Sequence, residues 1–61
     1  MKNAVKKVRE LRKMTLAELS AASGVPVSTI NDVERGAEPR VITALLIAKA
    51  LGTQVERLWF V

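Results

Sequence analysis

A chain of 61 residues that is 49% hydrophobic and contains neither cysteine nor histidine must hold its core by packing alone, with no disulfide or zinc site to help. There is also no tyrosine, no glycine-rich phosphate loop and no evident pair of carboxylates, so an enzyme is not expected and no metal, cofactor or small-molecule ligand is indicated. The net charge is +4, and Lys2, Lys6, Lys7, Arg9, Arg12 and Lys13 place six of the ten basic residues in the first thirteen positions, which suits a solvated helix face or contact with phosphates.

The spacing predicts one all-α domain over residues 1–61, with five helices and no strand. The first helix covers about 3–12, turning Val5, Val8 and Leu11 toward the core, with Met14 closing the turn. The second covers about 16–22 behind Thr15, which forms a capping box with Glu18 three residues on. Gly24 is placed to take a left-handed turn, and the third helix follows over about 27–35, with Ile30 and Val33 on one face. Pro26 stands where its missing N–H is tolerated, and Gly36 stands just past the end. The fourth helix begins near Pro39 and Arg40, ends at Leu51 and Gly52, and is expected to bury Val41, Leu45, Ile47, Ala48 and Leu51. A short fifth helix over about 54–59 follows Thr53, with Glu56 completing a second capping box. Lys6 and Lys7 fall where a signal peptide would be apolar, and 41–48 is too short to span a membrane. With no cysteine, the expected setting is the cytoplasm, with no membrane partner.

Two short helices joined by a tight turn, as 15–36 reads, form a helix-turn-helix whose second helix fits a DNA major groove. Around it stand Val8-Arg9, Thr15-x-x-Glu18-Leu19, Gly24-Val25, Ser28-Thr29-Ile30, Glu34-Arg35-Gly36, Pro39, Ile47-Ala48-Lys49-Ala50-Leu51-Gly52 and Leu58. In joint order and spacing these resemble the phage repressor/Cro-type, or Xre, helix-turn-helix family over nearly the whole chain. The resemblance implies a compact five-helix bundle of the lambda-repressor-like type. It also implies a third helix that reads DNA, and two-fold homodimers on palindromic sites.

The same resemblance implies an ion pair between Arg9 and Glu34, although Arg9 contacting phosphate is the alternative. It places Leu16, Val27, Ser28, Thr29, Asn31, Asp32 and Arg35 toward base edges or phosphates. Similar repressors often carry glutamine where this chain has Leu16 and Val27. Val27 suits a thymine methyl, Asn31 an adenine and Asp32 a cytosine amino group. No Lys or Arg lies between Val25 and Glu34, and an acidic residue near phosphate costs affinity. Arg40 is expected at the DNA backbone beyond a loop that is about one residue short and carries Glu38. Asn3, Lys6 and Thr15 are further candidates near phosphate, Thr15 through the start of helix 2.

Ile42 and Leu46, one turn apart, and the apolar run Leu58-Trp59-Phe60-Val61 exceed what a small bundle needs. Ile42, Leu46, Trp59, Phe60 and Val61 either fold together over the monomer core or form a dimer patch. The leading function is sequence-specific binding of double-stranded DNA by a repressor-like transcription regulator. The rival is a protein-interaction module on the same fold, such as an antitoxin or anti-repressor partner.

Overall fold

The computed structural model describes residues 2–60, and among them the secondary structure is helical apart from one isolated antiparallel bridge. The helices are α1 (Val5–Leu11), α2 (Leu16–Ser23), α3 (Val27–Glu34), α4 (Val41–Ala50) and α5 (Val55–Leu58). None is long and apolar enough to cross a membrane. α2 packs against both α3 and α4, α1 against α3, and α5 against α4. Val5, Leu19, Ile30, Ile47, Leu51 and Leu58 are fully buried where these helices meet.

Local signals set most of the helix ends. The Glu18 N–H donates to Thr15 Oγ1 at 3.0 Å, and the Thr15 N–H donates to Glu18 Oε1 at 2.8 Å, closing the capping box of α2. Gly24, at φ 78, ends α2 in the left-handed region. The turn is then tightened by Ser20 Oγ donating to the Val25 carbonyl at 2.6 Å and by the Val25 N–H donating to Ser23 Oγ at 3.1 Å. The second expected capping box is absent. Thr53 spends its N–H on the Ala48 carbonyl, closing the end of α4, and the α5 N-cap falls on Gln54 without a side-chain bond.

Two expectations about the core are corrected. In α4 the buried residues are Ala44, Ile47 and Ala48, with Leu51 just beyond; Val41 is 78% exposed and Leu45 52% exposed. The helix is apolar all round, so periodicity alone cannot say which side faces inward. In α1, Leu11 is 72% exposed. Val5 and Arg9 point inward, and the position one further turn along that line is Arg12, not Leu11. The Arg12 guanidinium lies over Gly52, 3.6 Å from where a Cβ would stand.

The chain after α5 runs beside its own start. The Ala4 N–H donates to the Leu58 carbonyl at 2.8 Å, and Asn3 bridges Trp59. Trp59 is half-buried, and its indole N–H is enclosed without an acceptor among the described residues. Phe60 stays 55% exposed, and Val61, part of the expected dimer patch, lies outside the described residues.

Candidate nucleic-acid interface

α3 is held by its inner seam, where Ile30 and Val33 are buried. Opposite that seam, at helical spacing, stand Ser28, Asp32 and Arg35, all turned outward. Val27 and Asn31 flank them on one side and Thr29 on the other; Val27 is exposed and Asn31 half-buried. The pattern therefore gives α3 a polar outward face and an apolar inward one, as a helix entering a groove requires.

Thr29, Asp32 and Arg40 line one groove, which runs between α3 and the start of α4 over Pro39 and Leu46. Arg40 thus stands beside the recognition helix, and the short loop with Glu38 does not carry it away. Leu16 does not stand free. It packs against the core at the start of α2, which limits its reach to DNA. Thr15 has its backbone N–H and one hydroxyl lone pair committed to Glu18, so the α2 N-terminus already holds a carboxylate. Lys6 is exposed on α1.

The N-terminal basic cluster divides. Arg9 is buried and donates from Nε to Glu34 Oε2 at 2.7 Å, from Nη2 to Glu34 Oε1 at 3.3 Å and from Nη1 to the Met14 carbonyl at 2.8 Å. Hydrogen bonding to Glu34 raises the Arg9 pKa above its ordinary value, outweighing desolvation by burial. Arg12 lies against Gly52. Lys2, Lys6, Lys7, Arg12 and Lys13 are exposed.

Asn3, expected near phosphate, has its side chain engaged within the chain. Its Oδ1 accepts from the Val5 N–H at 3.0 Å and its Nδ2 donates to the Val33 carbonyl at 2.8 Å, stapling the start of α1 to α3. That staple brings in a residue that motif spacing does not single out. Lys2 shares a groove with Asn3, Glu34, Arg35 and Gly36, so a second cation stands at the end of the recognition helix. Membership of the basic cluster is its only sequence signal.

A capped helix, a left-handed glycine turn and a second helix with an open polar face define a DNA-binding helix-turn-helix domain. The Helix-turn-helix family model matches residues 5–58, and the chain belongs to that family, in its Cro/C1-type, Xre-like branch. No curated protein matches the chain.

Proposed function

We propose that this domain binds double-stranded DNA sequence-specifically, as a repressor-like transcription regulator in the cytoplasm. It acts by binding rather than catalysis and needs no cofactor. The observation that carries the reading is the outward face of α3, where Ser28, Asn31, Asp32 and Arg35 are presented around an apolar seam that fixes the helix in place. Val27 and Asn31 supply discrimination through a thymine methyl and an adenine edge. Arg35, Arg40, Lys2 and Lys6 supply the phosphate contacts that set register. A domain this small covers one half-site, so two copies on a two-fold operator complete the reader.

Titration against mixed genomic duplex at two salt concentrations, followed by selection from a random oligonucleotide pool, tests the reading. Salt-sensitive binding with a recovered two-fold consensus supports it. Salt-sensitive binding with no consensus removes the specific part, and no binding at low salt removes the whole. The last outcome favours the rival reading, a module that binds another protein, for which the lack of any cation on α3 before Arg35 is the specific support.

A further inference from the structure

Two hollows meet at the short loop between α3 and α4, and Glu38 and Pro39 line both of them. One is the groove beside α3, which Arg40 shares with Thr29 and Asp32. The other holds about 270 Å³ and is walled by Val41, Ala44, Leu45, Val55 and Trp59, so Glu38 is its one charged neighbour. Glu38 is exposed and belongs to no ion pair among the described residues, where the sole pair is Arg9–Glu34. An apolar hollow with a single unmatched carboxylate at its edge is therefore joined, through one loop, to the groove beside the recognition helix.

We infer that the apolar hollow takes a small organic cation, an ammonium group on an apolar body, and that this ligand strengthens the hold on DNA by neutralising Glu38. The charge follows from Glu38. A neutral apolar occupant strips water from the carboxylate without replacing it, and an anion is repelled, whereas an ammonium group replaces the water and pairs with the charge. Trp59 favours the same choice, because an indole ring attracts a cation near its face. The size follows from the walls. The hollow, at about 270 Å³, falls just under the roughly 300–1,000 Å³ of drug-sized pockets. Exposed Leu45 stands as a ridge between it and a further groove that carries Lys49, so a longer cationic occupant would run onto a like charge. The effect on DNA rests on the DNA-binding reading and follows from the shared loop. Glu38 precedes Arg40 on that loop, and on bound DNA its carboxylate repels the phosphates that Arg40 attracts. An ammonium group beside Glu38 cancels that repulsion, and by reciprocity DNA tightens the hold on the amine by the same factor.

The test titrates the full chain with phenethylamine, and with phenethyl alcohol and hydrocinnamate as neutral and anionic probes of similar body. Emission of Trp59, the single tryptophan, reports occupation of the hollow. The amine is expected to bind about three- to tenfold more tightly than the alcohol, and the acid more weakly than either. Glu38→Gln, at an exposed position that leaves the fold intact, is expected to cut the preference for the amine to about twofold or less, with the alcohol bound as before. Saturating amine is expected to raise wild-type affinity for random duplex about two- to fivefold at low salt, against ammonium chloride of equal ionic strength, and to leave Glu38→Gln unchanged. An alcohol or acid that binds as tightly as the amine overturns the cation site, and so does a full amine preference in Glu38→Gln. Emission that shifts when the protein alone is concentrated, and that the amine does not move, gives the hollow to a second copy and overturns the site. Amine binding that leaves wild-type DNA affinity unchanged overturns the coupling. The two readings stay apart: amine binding by a chain that does not bind duplex removes the DNA reading and keeps the site, and DNA binding without amine binding removes the site alone.

Discussion

Arg9 and Glu34 stand 25 residues apart and lock the middle of α1 to the last residue of α3 through two hydrogen bonds on one carboxylate. Both side chains are nearly buried, at 11% and 5% exposure. The pair therefore ties the C-terminal end of α3 to α1, and both charges are spent on each other inside the domain.

Glu34→Gln is expected to cost about 3 kcal/mol, because it strands a buried guanidinium. A 61-residue domain has a total stability of only roughly 3–9 kcal/mol, so this variant loses at least about a third of it. Arg9→Met combined with Glu34→Leu is expected to cost much less than either single change, and denaturant melts of the three decide it. The pKa of Arg9 is raised, so while Glu34 is ionised the share of the stability from this tie holds up to the ordinary arginine range and is lost as pH rises through the raised value. Stability measured from neutral to mildly alkaline pH should show no loss from this tie.

Gly24 and Lys13 make a matched pair of tests, since both sit in the left-handed region, at φ 78 and φ 56. At Gly24 a Cβ would meet nothing within 4 Å, so Gly24→Ala reports backbone strain alone and is expected to cost about 1–2 kcal/mol. Gly24→Asn should recover part of that loss. Lys13→Gly is expected to stabilise by about 0.5–1 kcal/mol, the strain relieved less the entropy glycine gains when unfolded. Thermal melts should move by several degrees in opposite directions, and a destabilised Lys13→Gly would show that the lysine side chain holds that turn.

How far these elements are legible in the sequence depends on whether their signal is local. Thr15 with Glu18 and Thr53 with Glu56 share one pattern, yet only the first forms a capping box. The difference lies upstream of the four-residue pattern: the Thr53 N–H is taken by the Ala48 carbonyl at the end of α4. The α2–α3 turn can be read because Gly24 and its neighbours carry the whole of it. The facing of α4 cannot, because Val41, Ile42, Leu45 and Leu46 leave no polar side to mark the surface, apart from Lys49. In the same way, spacing groups Ile42 and Leu46 with Trp59, whereas Trp59 walls a groove with Val41 and Leu45. Asn3 reaches α3 across 30 residues of sequence, a distance at which spacing says nothing.

Lys6 and Lys7 are exposed on α1 and unpaired among the described ion pairs. Replacing both with Gln is expected to lower the salt slope of binding to random duplex by up to about two, weakening all sequences alike. Lys2→Gln should remove up to about one more, because Lys2 stands beside Arg35. Binding measured from low to physiological salt gives these slopes directly. An unchanged slope in the double variant would place α1 away from the phosphates.

Val27 and Asn31 share one flank of α3, a turn apart, so in the proposed reading they address neighbouring base pairs rather than the same one. Val27 is the more open, at 41% exposure, and has no polar group to offer, so the contact proposed for it is with a thymine methyl, which the shorter side chain of Val27→Ala would not reach. Asn31 is half-buried, which holds its amide in fewer rotamers and favours a two-bond contact with one adenine. Asn31→Ala is therefore expected to cost about 1–3 kcal/mol on the preferred site and to relax preference at one position, with little change on random duplex. Val27→Ala should relax an adjacent position by less. Selection from a random oligonucleotide pool with each variant resolves the two, and the two relaxed positions should lie next to each other in each half-site. Consensus sites unchanged in both variants would take base reading away from this flank of α3 and leave it to Ser28, Asp32 and Arg35.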